Sequence, residues 1–500
     1  MKRTPWTTAG LLAGLVLPAL AAAAPAVDES TLQKLLNRLD KLEARNNALE
    51  DEIKVLKNEN RKVAESLDSP RLSENEPELT TRLKAVEKDA LDMKKSARIA
   101  EQLEGIHVSA SLATVAQKAW GLPEGLVNGP AQLNYRGDVS VEMPLQPLGD
   151  TEHKLFAHVR LGQGLGLNAA FSDLGYHASA PNAVAFRASG ANPDDSVALL
   201  GQAWYQATIP LPFMGFKPHS RETLTLTFGK MDIFGFFDQN AVAGDEARQF
   251  LNSAFVHNPL LDAGGETGVD ANGFQPGFIA SYDNYTNKPE AWRLALGIFG
   301  AGDRGANYQH SLNAPLVMAQ AEKQLRLLDG LPGNYRVYAW NRSRSSNFDG
   351  TSGRHHGLGV SIDQQVSDNL SLYGRYGKLL KGEARFDQTL TLGTELSGSA
   401  WNRGADALGL SLGWLQSGKG YRSGVYGTSC PAGYDTLGTC QGQLTTFTPQ
   451  GSERIVELYY RYRLSPQFEL SPDLQYIAQG GSNPAAKAAK VFALRANIAY

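Results

Sequence analysis

The sequence predicts an all-β transmembrane barrel of about sixteen antiparallel strands, preceded by an α-helical coiled-coil segment. Three observations carry that reading. From Gly105 onward, short runs alternate apolar with polar residues and are punctuated by Gly, Pro, Asn and Asp. The chain opens on the layout of an export signal. Its last run, VFALRANIAY, puts Phe492, Leu494, Ala496, Ile498 and the terminal Tyr500 on one face, as the closing strand of a bacterial outer-membrane barrel does. Composition agrees: 51 Gly, 19 Phe and 18 Tyr in 500 residues suit strands better than helices. A mean hydropathy of -0.30 excludes a polytopic helical membrane protein but not a barrel, whose strands bury only alternate residues in lipid. With 48 Lys plus Arg against 51 Asp plus Glu, the net charge of -3 argues against a nucleic-acid partner.

At the N-terminus, Lys2 and Arg3 precede an apolar run from Ala9 to Leu20, and small residues follow to Val27. Residues 1–26 therefore read as a signal peptide cut ahead of Val27. A membrane anchor is the alternative, but a dozen apolar residues fall short of the ~20 needed to span a bilayer.

Residues 27–104 contain no Gly, aromatic residue or His, and 33 of the 78 are charged. Such a segment has only a narrow seam to bury. Leu32, Leu35, Leu39, Leu42, Asn46, Leu49, Ile53, Leu56, Asn60, Val63 and Leu67 step by alternating three and four, five heptads of a and d positions. Asn46 and Asn60 fall at a, where a buried amide weakens the seam and sets register and strand number. A weaker, alanine-rich seam continues from Leu79 to Ala100 beyond Pro70 and Pro77. The expectation is a periplasmic coiled coil that makes a homo-oligomer, a trimer being favoured, with peptidoglycan as a further candidate partner. A lone amphipathic helix packed on a globular core is the competing reading.

In residues 105–500, candidate strands run near 105–116, 131–145, 153–164, 198–211, 222–235, 275–284, 292–301, 316–328, 333–344, 357–366, 370–380, 388–398, 408–417, 453–464, 469–479 and 490–500. Their even number leaves both chain ends on the periplasmic side. Short connections at Ser367–Asn369 and Ser465–Gln467 suit inner turns, and long ones at 165–197, 235–274 and 416–452 suit outer loops. Cys430 and Cys440 lie in the last long loop, where a disulfide is expected in an oxidising compartment and two free thiols are the alternative. In the second long loop, GDEARQFLNSAF reads as a short helix with Glu246, Arg248 and Gln249 exposed. That loop either folds into the lumen or lies on the surface.

The segments LTFGKMDIFGFFDQNAVAGDEARQFLNSAF, RGADALGLSLGW and SERIVELYYRYRLSPQFELSPDLQYIAQ, with VFALRANIAY, resemble the carbohydrate-selective porins of the OprB type across essentially all of 105–500. The resemblance implies a sixteen-stranded outer-membrane barrel passing glucose and other sugars by facilitated diffusion, with outer-membrane lipid as its surroundings. The coiled coil departs from the simplest members.

If the apolar, aromatic face meets lipid, then Arg160, Gln320, Glu322, Gln324, Arg336, Trp340, Arg375, Glu457, Arg461, Arg463, Asp473, Gln475 and Arg495 point inward as pore-lining, solute-contacting candidates. Guanidinium forks donate paired hydrogen bonds, carboxylates accept them, and an aromatic face covers C–H surface, a mixture suited to a neutral polyhydroxylated solute. An anion or phosphate channel, the alternative, needs fewer acids near its cations. A structural tether between outer membrane and cell wall is the other. Taken singly, each of these side chains reads first as plain wetted wall. Catalysis is not expected: Gly409-Leu-Ser411-Leu-Gly413 matches G-x-S-x-G but sits inside an alternating strand. His355 and His356 are adjacent rather than at metal-ligand spacing, Asp238, Asp245 and Glu246 fit no known ion-binding loop, and no cofactor motif appears.

Overall fold

The structure is a computed structural model. It describes residues 105–122, 129–174, 179–186, 196–213, 220–261, 273–300, 313–429 and 445–500, together with Lys54, Lys57 and Asn58, which are helical and exposed. The expected signal peptide, the rest of the coiled coil, and Cys430 and Cys440 lie outside the described residues.

Among the described residues, eighteen strands follow in chain order: β1 (His107–Trp120), β2 (Ala131–Leu148), β3 (Thr151–Gln163), β4 (Val197–Leu211), β5 (Glu222–Asp232) and β6 (Phe274–Asn284). Next come β7 (Trp292–Phe299), β8 (Leu316–Leu327), β9 (Leu331–Ser346), β10 (Ser352–Gln365), β11 (Leu370–Lys381), β12 (Phe386–Ser397) and β13 (Ala407–Ser417). β14 (Tyr426–Ser429) and β15 (Thr445–Phe447) form a separate hairpin, and β16 (Ser452–Arg463), β17 (Phe468–Ala478) and β18 (Ala489–Ala499) complete the chain. The sixteen strands other than that hairpin close into one antiparallel barrel in which neighbours in sequence are neighbours in space.

Closure is made by β1 against β18, with Ala113 opposite Asn497 and Lys118 opposite Phe492. Reciprocal backbone hydrogen bonds of 2.9 and 2.8 Å between Ala110 and Tyr500 extend the seam to the last residue. Closure leaves no open strand edge within the barrel itself. The longest connections share one end of the barrel: two residues join β2 to β3 and four join β16 to β17 at the opposite end, whereas long segments join β3 to β4, β5 to β6 and β13 to β16.

Alternation decides which side is which. Leu410, Leu412, Leu458, Leu474, Phe492 and Ile498 are exposed although large and apolar, while their polar neighbours Ser411, Glu457, Asp473, Arg495 and Asn497 are buried. A water-soluble sandwich has the reverse distribution. The pattern is that of a sheet with an apolar outer band and a polar interior. Ser411, the centre of the G-x-S-x-G match, lies in mid-strand and hydrogen-bonds Leu392 O at 3.1 Å, with no strand-to-helix turn beside it.

Candidate functional site

The segment between β5 and β6 lies inside the barrel. Its Asp238 accepts hydrogen bonds from Arg375 Nε on β11 at 2.9 Å and from Tyr338 Oη on β9 at 2.8 Å. Glu457 on β16 accepts from the amides of Leu251 and Asn252 at 2.5 and 2.9 Å. Arg495 on β18 donates to Glu246 O at 2.8 Å, and Arg136 on β2 donates to Glu246 Oε1 at 2.8 Å. Side chains from β2, β9, β11, β16 and β18 can meet one segment only within the space they enclose.

The segment also brings its own apolar side. Phe237, Phe250 and Phe255 are wholly buried, with Phe250 edge-on to Tyr459 at 5.0 Å and Phe237 edge-on to Phe299 at 5.8 Å. These rings fill part of the lumen with a hydrophobic core between wall and loop. The predicted helix over GDEARQFLNSAF is shorter than expected: one turn, Ser253–Val256, capped by Asn252. Around 245–249 the chain instead makes a turn in which Asp245 accepts from the amides of Ala247 and Arg248. Hydrogen bonds from the wall outcompete helix propagation here, because Glu457 captures the amides of Leu251 and Asn252. Gln249, expected exposed, is buried and bonds Ala241 O at 2.8 Å.

The candidate residues separate into two sets. Trp340, Arg375, Glu457, Asp473, Gln475 and Arg495 are buried. Gln320 is buried as well and accepts from the Asp238 amide at 2.9 Å. Gln475 accepts from Asn252 Nδ2 at 3.0 Å. Arg160, Glu322, Arg461 and Arg463 keep partial exposure, Arg336 is buried, and Gln324 is exposed near the short-turn end.

Most inward cations have a carboxylate partner. Arg336 meets Asp363 at 2.7 Å and Glu322 at 3.2 Å; Arg160 meets Asp138 at 2.6 Å; Arg461 meets Glu395 at 3.4 Å; Arg248 meets Glu469 at 2.6 Å. Arg136, Asp138, His158, Asp363 and Glu395 were not among the expected residues. The signal for the first two was present: Asn134, Arg136, Asp138, Ser140 and Glu142 occupy every second position of β2. Within the loop, burial pushes the Glu246 carboxyl up, but Arg136, His257 and Arg160 outweigh it and hold the group below its usual value.

An aromatic pair on the inward faces of β3 and β4 was also missed. Phe156 and Trp204 stack at 4.7 Å with planes 19° apart, both partly exposed, and Phe236 of the loop meets the Trp204 edge at 5.8 Å. Lys154 Nζ sits 5.6 Å from the Trp204 ring and pairs with Glu142 at 3.0 Å. Gly229, at φ 139°, lies against the backbone of β4: a Cβ there would come within 2.3 Å of Ala203 O and 2.6 Å of Trp204 Cα, so only glycine lets the two strands approach at this point.

The profile of the family described as "Carbohydrate-selective porin, OprB family" matches residues 163–500. No curated protein sequence matches. Among solved structures, the high-pH form of Pseudomonas putida OprB is similar, with a TM-score of 0.57 at 17% identity over 81% of this chain and 96% of that one. Its low-pH form gives a TM-score of 0.44 at 15% identity over 81% and 96%, and a triple mutant of the Rh. blastica porin 0.43 at 9% identity over 79% and 100%.

Proposed function

The chain belongs to the carbohydrate-selective porin family OprB, and from that membership we propose an outer-membrane channel for passive diffusion of neutral sugars, with a weak solute site in the lumen. One observation supports the solute class above others: inward guanidinium groups are matched by carboxylates at Arg336, Arg160, Arg461 and Arg248. A wall balanced in this way gives a small anion no net attraction, yet offers a polyhydroxylated molecule donors and acceptors side by side. That balance weighs against the anion-channel alternative.

Selectivity then divides between two parts of the lumen. The buried set, Arg375, Glu457, Gln475 and Arg495, holds the inner loop, and the loop narrows the passage. The partly exposed set, Arg160, Glu322, Arg461 and Arg463, faces the solute, and Phe156 with Trp204 supplies a flat apolar surface for sugar C–H groups. Residues 27–104 form the periplasmic oligomerisation stalk and 105–500 the channel, a division supported by the heptad pattern.

Planar-bilayer recording with glucose in the bath tests the site. Glucose should reduce the ionic current in a saturable way. Trp204→Ala should weaken that block, whereas Trp340→Phe, at a covered ring, should leave it intact. Block that is unaffected by Trp204→Ala would remove the aromatic surface from the account.

A further inference from the structure

Away from the lumen, the outer wall carries a second feature at the closing seam. A groove of about 420 Å³ lies on the lipid side of β16, β17, β18 and β1, floored by Leu458, Leu474 and Phe492 and flanked by Trp120, Tyr476 and Lys490. The register sets these side by side: Trp120 opposite Lys490, Lys490 opposite Tyr476, and Leu474 opposite Phe492. Lys118, opposite Phe492, is a diagonal neighbour of Lys490, and its Nζ stands 5.3 Å from the Trp120 ring. Arg454 points outward near the start of β16, two residues above Val456, which is itself opposite Tyr476.

Lys118, Lys490 and Arg454 are all exposed, and all lie at the long-loop end of their strands. The outward positions of these four strands contain no Asp or Glu to neutralise them. Lys490 and Arg454 stand above an apolar slot in a lipid-facing wall, and Lys118, level with Phe492, has its Nζ beside the Trp120 ring; three cations so placed are costly unless an anion meets them at the membrane surface. A second outer-wall groove, beside Trp292, Leu294 and Val337, is different: it sits at the short-turn end, and its Lys323 already donates to Glu290 O at 2.6 Å.

We propose that this seam binds an acylated lipid with a phosphorylated headgroup from the outer leaflet, one chain lying in the groove over Leu458, Leu474 and Phe492 and the phosphate held by Lys118, Lys490 and Arg454. Trp120 and Tyr476 mark the depth at which headgroup gives way to chain. Occupancy there covers the junction at which the first and last strands meet. The proposal rests on the outer-membrane assignment but not on the identity of the solute.

The test is native mass spectrometry of the full chain in detergent, titrated with bisphosphorylated lipid A, with the same lipid stripped of phosphate, and with inorganic phosphate as competitor. The phosphorylated lipid should be retained. The triple variant Lys118→Gln, Lys490→Gln, Arg454→Gln should hold it roughly 100-fold more weakly, and Leu474→Trp, which fills the groove, should also weaken it with the cations in place. Equal retention by wild type and the triple variant, equal retention of phosphate-free lipid, or full displacement by millimolar inorganic phosphate would each overturn the proposal. Heat-shifted gel migration checks that the variants are folded. Loss of sugar conduction by the wild-type protein would strike the channel reading and leave the lipid result standing.

Discussion

Arg375 on β11 and Asp238 of the inner loop are joined Nε to Oδ1 at 2.9 Å, with side-chain exposures of 1% and 0%. A buried ion pair is tolerated only when its remaining polar atoms are also satisfied. Here Arg375 donates further to Phe255 O, Asp238 O and Ala243 O, and Asp238 accepts from Tyr338 and from the Asn258 amide. The cluster rivets loop to wall.

Arg375→Ala leaves the Asp238 carboxylate buried without its cation, at a cost of about 3 to 5 kcal/mol. The sheet ladder is untouched, so the loss falls on loop docking. Single-channel recordings should show larger, flickering openings, while heat-shifted migration on a gel stays as in wild type.

Removing residues 244–256 takes away the part of the loop held by Glu457 and Arg495. Conductance should rise and glucose block should weaken. Unchanged conductance would mean that the loop does not set the narrowest point.

Glu322→Gln with Asp363→Asn strips Arg336 of both partners, now at 3.2 and 2.7 Å. The reversal potential in a salt gradient should move toward anion selectivity, and Arg336→Gln added to the pair should move it back.

Asp406 gives a pH prediction at the short-turn end, outside the strands. The Arg403 guanidinium beside it, helped by Tyr460 and the Arg463 amide, outweighs burial and lowers its carboxyl to about 2. An unfolded Asp titrates near 3.9, so the folded group has the lower value. Its contribution is therefore complete above about pH 4 and is lost as pH falls through about 2. Hydrogen exchange at the Arg403, Asp406 and Arg463 amides, corrected for intrinsic rate, should be flat from pH 7 to about 4 and accelerate below. Asp406→Asn should show the fast exchange at pH 7.

Leu412, at the centre of β13, faces outward and is 54% exposed. Leu412→Arg should destabilise the barrel by about 2 to 4 kcal/mol in refolding titrations in bilayers.

The barrel was legible because period-2 alternation is a local property: VFALRANIAY alone assigns Phe492 to the outer face and Arg495 to the inner. All sixteen strand runs were readable on that basis, and even the weak β2 pattern carries Arg136 and Asp138 in phase. Which inward residues stay wet was not legible. Trp340 and Trp204 both point inward, but Trp340 is buried while Trp204 stays partly exposed, and no local pattern encodes a contact between Asp238 and a residue 137 positions away. GDEARQFLNSAF misled for the same reason: helical periodicity reports faces, whereas Glu457 decides where the Leu251 and Asn252 amides are bonded.

Liposome swelling with an isosmolar panel of neutral sugars and small anions tests the channel reading most directly. Vesicles containing the full chain should swell rapidly with glucose-sized sugars, more slowly with larger ones, and without preference for anions over neutral solutes of equal size. Absence of swelling with every sugar, or swelling that follows negative charge alone, would contradict it.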